Sequence, residues 1–384
     1  MRKTAPFWSL ATLVSDSEEP AELQVSLEDM VSDSGRLVEG GLSRYEAKGT
    51  PFAEGDVLFG KLRPYLAKYW RADRPGTAGG DIHVYRPAED VDSRFLGYLV
   101  GSRHFVRFAE AASKGVKMPR VEWMGLREFV VYRPDRVEQE RIADYLDRET
   151  REIDAMILRL DELAGTLISR RIAVIDRAFV HTLEAPTVAV HLMADVTVGI
   201  VIEPSKLYVP PGTGVPALRG LNIAPGRIIN ENIVDISHEG HKAHSKSELR
   251  TGDVLTVRTG RVGTTAVVTD EWDGSNAIDL VITRLHNGNE ARFFYWYLAS
   301  SVARAQIDND SVGSVQSHFN VGALNRLRAP LVDPDEQKGI AEHLDEVTGR
   351  IDQMLAKVAD LTNLLLERRS ALITDVVTGR KDIA

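Results

Sequence analysis

The sequence predicts an α+β protein: two mixed α/β domains, each followed by a long helix, with the two helices paired as an antiparallel coiled coil and the chain as a whole an internal pseudo-two-fold repeat. Three observations predict it. Residues 135–175 recur at 333–373, 198 residues later, with seventeen of forty-one positions identical and no gap. Both copies carry apolar or small residues every three or four positions, the spacing that buries one narrow helical stripe. The segments ahead of them share a looser pattern, Gly55-Asp-Val-Leu58 with Gly252-Asp-Val-Leu255 and Phe95-x-x-Tyr98-Leu99 with Phe294-x-x-Tyr297-Leu298. The expected boundaries are 1–134 and 181–332 for the domains, 135–180 and 333–384 for the helices.

Composition sets the outer limits. With 384 residues, 43% of them apolar, the chain can bury two or more real cores. It contains no cysteine, which excludes disulfides, thiolate metal sites and Cys nucleophiles and fits a reducing cytosol. The N-terminus MRKTAPFWSL has no apolar run of signal-peptide length, and no stretch approaches the ~20 apolar residues of a membrane span. A cytoplasmic location and no membrane partner are expected. The net charge of −9 confines any nucleic-acid surface to a local patch.

The first domain alternates weakly at Trp8 to Val14 and Glu22 to Met30, with turn chemistry at Asp33-Ser34-Gly35, which predicts short strands. Glu54 to Trp70 then reads as a turn, a strand and a loop displaying Lys61, Arg63, Tyr65, Lys68, Tyr69 and Trp70. Cations among aromatics suit phosphate contact with stacking or base-edge contact; a solvated strand edge with its aromatics in the core fits the same residues. Arg94 to Ala112 has helical spacing. The loop after it, Ser113 to Arg120, holds Lys114, Lys117 and Arg120 within a Gly-Pro frame that stops the helix. It is the foremost candidate for touching DNA, against the alternative of a plain solvated loop.

The second domain repeats this plan, with Arg258 and Arg261 in the run after Leu255 and with the loop Ser311 to Asn320, carrying Ser314, Gln316 and His318, where the first domain has Ser113 to Arg120. The helices open on Asp135-x-x-Glu138 and Asp333-x-x-Glu336, capping-box spacings. A helix of about forty residues spans roughly 60 Å, enough to act as a ruler between two domains.

These residues resemble a known family. The run Gly55 to Trp70, the loop Lys114 to Arg120 followed by Glu138-Gln-Glu-Arg-Ile-Ala-Asp-Tyr-Leu-Asp147, and the duplicated EQxxIAxxLD helices are similar to the specificity (S) subunit of type I restriction-modification enzymes, over essentially the whole chain. The resemblance implies two target-recognition domains, each reading one half of a split asymmetric sequence in double-stranded DNA, held apart by the paired helices. It also implies two modification (methyltransferase) subunits that bind S-adenosylmethionine and two restriction subunits that add ATP-driven translocation and cleavage. No cofactor is then expected in this chain; S-adenosylmethionine, ATP and Mg belong to the partners. The second domain departs from the pattern, with Thr256-Val-Arg-Thr-Gly-Arg261 in place of Phe59-Gly-Lys-Leu-Arg-Pro64, so residue roles carry over there only loosely.

Two other function classes fit less of the chain: a DNA methyltransferase or nuclease in its own right, and a coiled-coil assembly protein without DNA affinity. A methyltransferase needs a Gly-rich cofactor loop and an Asn/Asp-Pro-Pro-aromatic segment, and neither is found. Pro211 to Gly214 and Gly260 to Thr265 are Gly-rich but lack the Gly-Lys-Ser/Thr of a phosphate loop and read as turns. Glu336-x-Lys338 is a nuclease-like fragment whose place at a helix start favours capping. His238, His241 and His244 have metal-ligand spacing, but no acidic or Cys ligand completes the set, which favours a solvated or phosphate-facing loop.

Overall fold

The computed structural model describes residues 3–38, 44–180, 186–286, 288–310 and 321–383. The chain divides into two compact units, residues 1–162 with 358–384 and residues 163–357.

The first unit is built on an antiparallel sheet ordered Ala11–Val14, Ile82–Pro87, Val57–Gly60, Tyr69–Arg71. Its central residues are apolar without alternation because both faces are covered. Phe59 and Tyr85 pack on Phe7, Phe95 and Phe105 on one side, while Leu58 and Val84 pack on Val25, Phe52 and Trp70 on the other. A short pairing of Thr4–Pro6 with Val130–Tyr132 brings the start of the domain to its end, just before the first long helix, Arg136–Val180.

The second unit repeats the sheet as Ala194–Val198, Leu280–Leu285, Val254–Val257, Thr265–Val267, in the same order and all antiparallel. Thr187–Ala189 pairs with Arg328–Pro330 ahead of the second long helix, Pro334–Val377. The Gly-Asp-Val-Leu repeat has a structural purpose. Asp56 accepts the Ala53 amide at 2.9 Å and Arg86 Nη2 at 2.7 Å, and Asp253 accepts the Arg250 amide at 2.8 Å and Arg284 Nη2 at 2.6 Å. Both carboxylates are buried, a position a charge holds only when paired.

The stretch read as one helix, Arg94 to Ala112, is two: Ser93–Gly101 and Arg103–Ala111. Ser102 between them has extended backbone and caps the second helix, its hydroxyl accepting the Phe105 amide at 3.2 Å. Ser300 does the same between Ala291–Ala299 and Ser301–Asp310. The expected match of Phe95/Tyr98 with Phe294/Tyr297 is out of register by one residue. The side chains that do equivalent work are Arg94 with Arg292 and Tyr98 with Trp296, at the helices' own spacing of 198. Arg94 and the Tyr98 hydroxyl reach Asp147 at 3.0 and 2.7 Å; Arg292 Nε and the Trp296 indole reach Asp345 at 3.1 and 2.8 Å.

Several identities between the long helices are thereby explained. Gln139 accepts the Asp92 amide at 2.8 Å and donates to the Pro134 carbonyl at 2.9 Å; Gln337 makes the same pair of bonds with Glu290 and Val332, at 2.9 and 2.8 Å. Leu146 and Leu344 are fully buried beneath them. The helix starts are capped by Asp135, which accepts the Glu138 amide at 3.0 Å, and by Asp333, which accepts the Asp335 amide at 3.0 Å. Within each unit the helices run antiparallel. In the first, Arg369 meets Asp154 at 2.9 Å and Lys381 meets the Tyr145 hydroxyl at 3.2 Å; in the second, Arg171 meets Asp352 at 3.0 Å. The apolar stripe that the three- or four-residue spacing predicts is in place, with Leu146, Ile153 and Leu167 buried in the first helix and Leu344, Ile351 and Leu365 in the second.

Candidate nucleic-acid interface

In the first unit two separate stretches of sequence converge. Leaving Val57–Gly60, the backbone turns through Arg63, in the left-handed region at φ 50°, into a short 3-10 turn at Pro64–Leu66 and back along Tyr69–Arg71. The loop Ser113 to Arg120 folds against that turn. Lys114 and Arg120 exchange backbone hydrogen bonds at 2.9 Å, Arg63 donates its amide to the Pro119 carbonyl at 2.7 Å, and Val121 donates to the Lys61 carbonyl at 2.9 Å. Gly115, at φ +98°, permits the tight tip.

One surface therefore collects Lys61, Arg63, Lys114, Lys117 and Arg120. Arg63, Lys114 and Lys117 are exposed, Lys61 and Arg120 half-buried. Tyr65 is also exposed, at 41%. Lys68 is turned inward, its Nζ donating to the Leu27 carbonyl at 2.6 Å. Tyr69 and Trp70 are core residues of the two opposite faces of the sheet, so the second half of the aromatic run is packing. Two exposed apolar side chains, Val116 and Met118, flank Lys117 in the loop.

In the second unit Arg258 and Arg261 occupy the equivalent hairpin turn, between Val254–Val257 and Thr265–Val267. Gly260 and Gly263 supply its positive φ angles, and Val257 closes it by donating to the Thr264 carbonyl at 2.9 Å. Arg258 is half-buried against Asp279, with Nη1 to Oδ1 at 3.0 Å, and Arg261 reaches the Ile223 carbonyl at 3.2 Å. Ser314, Gln316 and His318 lie outside the described residues. His241 is hydrogen-bonded to Asn276 at 2.7 Å and His244 to the Gly240 carbonyl at 2.9 Å. Among the described residues no group of three or more His, Asp or Glu is arranged to hold a metal ion.

Sequence reading missed two acidic residues at these surfaces. Asp81 and Asp279 each stand one residue ahead of the central strand, where Ile82 pairs with Gly60 and Leu280 with Val257. Asp81 is ion-paired with Arg120, and Asp279 takes both Arg258 and the Thr259 hydroxyl, the latter at 2.9 Å. The signal was present: the two aspartates are 198 residues apart, each followed directly by an aliphatic residue, Ile82 or Leu280. Beneath the first surface, His83 is buried against the Tyr85 hydroxyl at 3.0 Å. Burial, followed by the charges of Lys61 and Arg120, lowers its pKa to about 3, so the imidazole is neutral.

Each copy of the duplicated sheet carries cations on the same hairpin turn, and comparison with known proteins shows what the chain is similar to. Residues 223–361 match the family model described as the type I restriction modification DNA specificity domain. A 126-residue segment is 23% identical to the type I restriction enzyme EcoDI specificity subunit of Escherichia coli, covering 31% of this chain and 28% of that subunit, well under two thirds of its length. In fold, 99% of the chain superposes on 98% of a chain from a solved type I R-M system, with a TM-score of 0.71 and 18% identity. The HsdS subunit from Thermoanaerobacter tengcongensis matches with a TM-score of 0.54 and 16% identity, over 99% of this chain and 97% of that one. The chain thus carries the specificity-domain signature over residues 223–361 and the HsdS fold over nearly its whole length. Among the described residues no helix is long and apolar enough to cross a membrane.

Proposed function

We propose that this chain is the DNA-recognition subunit of a type I restriction-modification enzyme. Each unit reads one half of a bipartite asymmetric target in double-stranded DNA. The long helices set the spacer between the halves and dock two methyltransferase subunits. The chain itself catalyses nothing; S-adenosylmethionine, ATP and Mg are held by the modification subunits and by two restriction subunits, and the assembly acts on DNA in the cytoplasm.

The observation that carries this reading is the duplication. Two units repeat one strand order and fix their long helix through the same Gln and Asp, yet present different cations on the same hairpin turn. That combination suits two related half-site readers on a common frame, and an enzyme with a single centre has no use for it. The test is to map methylated adenines in cells carrying this gene together with the methyltransferase gene it is proposed to serve. A bipartite asymmetric motif that disappears when only this gene is deleted is the expected result. Methyl transfer from labelled S-adenosylmethionine by the purified chain alone would establish an enzyme instead. Absence of duplex binding by both the chain and its assembled complex would leave only an assembly protein.

A further inference from the structure

Asp81 and Asp279 are out of keeping with a surface that must receive phosphates. A carboxylate there repels the duplex, since affinity rests on cations replacing the DNA's own counterions. Yet one stands at the same point of each unit, the residue before the central strand, fixed by the pairings of Ile82 with Gly60 and Leu280 with Val257. Each holds a single arginine. The arginines reach it from different directions: Arg120 comes from the loop after the second domain helix, whereas Arg258 continues directly from Val254–Val257, at the register position that is Lys61 in the first unit. The aspartate is thus the repeated element and its partner is not.

An arginine that contacts phosphate needs no such partner, because a freely turning cation meets phosphate from any angle. One that reads a base must hold its planar fork in the plane of the guanine edge, where it donates to O6 and N7 together. An acceptor on one side of the guanidinium fixes that plane and leaves the remaining N–H groups to the DNA. Arg120 is 42% exposed in its pair and Arg258 23%, with its Nε buried, so the terminal N–H groups are the part of each fork left to a ligand. We propose that Asp81 and Asp279 are positioning residues: each holds one arginine, Arg120 or Arg258, at the angle at which it reads a guanine, one in each half-site. The inference rests on the DNA-recognition reading above and assigns the groups that supply its specificity.

The test uses the full chain assembled with its methyltransferase subunits, a target duplex selected from a random library by the wild-type assembly, and a scrambled duplex. Asp81→Asn and Asp279→Asn remove a charge and keep the shape, and Asn tolerates the left-handed backbone of residue 279, φ 51°. If the carboxylates were only unfavourable charges, both variants would bind both duplexes more tightly by the same factor, and that result overturns the proposal. The expected result is about tenfold weaker binding to the target, with binding to the scrambled duplex unchanged or slightly tighter. Preference should relax at one G·C pair, in one half-site for Asp81→Asn and in the other for Asp279→Asn. Arg120→Lys should reproduce Asp81→Asn, and the double variant should be no weaker than either, because both remove the same oriented fork. Equal weakening on both duplexes reports a damaged surface and also counts against the proposal. A wild-type assembly that selects no duplex overturns the DNA-recognition reading itself, an outcome distinct from wild-type selection that the aspartate variants leave untouched.

Discussion

Arg369 donates from Nε to Asp154 Oδ1 at 2.9 Å with its side chain almost fully buried, while its repeat equivalent, Arg171, makes the same bond to Asp352 at 3.0 Å in a far more exposed setting. Arg369 also reaches the carbonyls of Asp33 and Ser34 at 3.3 Å. Identical residues in identical register therefore differ in worth. Arg369→Ala removes a largely buried guanidinium from Asp154, which keeps its second partner Arg36, and from two carbonyls, and should cost roughly 1–3 kcal/mol. Arg171→Ala should cost no more than about 1 kcal/mol. Urea denaturation of the two variants measures the order, and a reversed order would refute the role assigned to burial.

The bonds of Gln139 and Gln337 to the backbone amides of Asp92 and Glu290 make a second prediction. Each glutamine fastens the first turn of a long helix to the cap of a domain helix. Replacing Gln139 by Ala leaves a buried amide without an acceptor, at roughly 1–3 kcal/mol. Amide hydrogen exchange should quicken at Asp92, leaving Glu290 in the other unit unaffected. Gln337→Ala should show the converse.

These two findings also mark what the sequence could convey. Gln139/Gln337, Asp147/Asp345 and Asp154/Asp352 stand out as identities in the alignment, so the positions were legible while their partners were not; a helix stripe is periodic, but a hydrogen bond to a residue forty-seven positions away leaves no period. The domain repeat was misread by one residue at Phe95 because an aromatic-rich helix offers two similar registers, and only the contacts of Arg94 and Tyr98 with Asp147 choose between them. Tyr69 and Trp70 sit next to surface cations in the sequence, yet belong to opposite faces of a strand buried on both sides. Asp81 and Asp279 went unnoticed because a search for DNA contacts looks for cations.

At the candidate interface, the lysines separate into two kinds. Lys114 and Lys117 are exposed, whereas Lys68 is bound to the Leu27 carbonyl. Lys114→Ala and Lys117→Ala should each reduce the slope of log affinity against log salt by about one. Lys68→Ala should leave that slope unchanged. Titration of duplex DNA at several salt concentrations distinguishes them, and equal slopes for all three variants would contradict the placement.

His83 gives the first unit an acid limit. Its folded pKa, about 3, lies below the ordinary value of 6.5 because burial and the neighbouring Lys61 and Arg120 oppose its charge. Above pH 6.5 the imidazole is neutral whether the chain is folded or not, and it exacts no penalty. As pH falls from 6.5 toward 3 the unfolded chain takes up a proton that the folded chain refuses, so stability drops by about 1.4 kcal/mol per pH unit. Between pH 7.5 and 5.5, above the carboxylate range, His83→Gln should lose about 1.4 kcal/mol less than wild type. Equal losses in denaturant titrations at the two pH values would show that His83 is protonated in the fold.

The last prediction concerns the independence of the two readers. Exchanging residues 1–134 for the corresponding domain of a relative should alter one half of the methylated motif and leave the other half intact. The exchanged domain must still seat on this chain's first long helix, so the donor needs an acceptor-seeking pair where Arg94 and Tyr98 meet Asp147 and a backbone amide where Asp92 meets Gln139. The donor must also bring apolar side chains where Phe95, Leu99 and Phe105 share one core with Ile142, Leu146, Ile373 and Val376 of the retained helices. A donor lacking them should assemble poorly whatever its DNA preference, which separates a seating failure from a recognition failure. Methylome sequencing of cells carrying the chimaera reads the outcome directly. A motif changed in both halves would mean that the two units read DNA jointly.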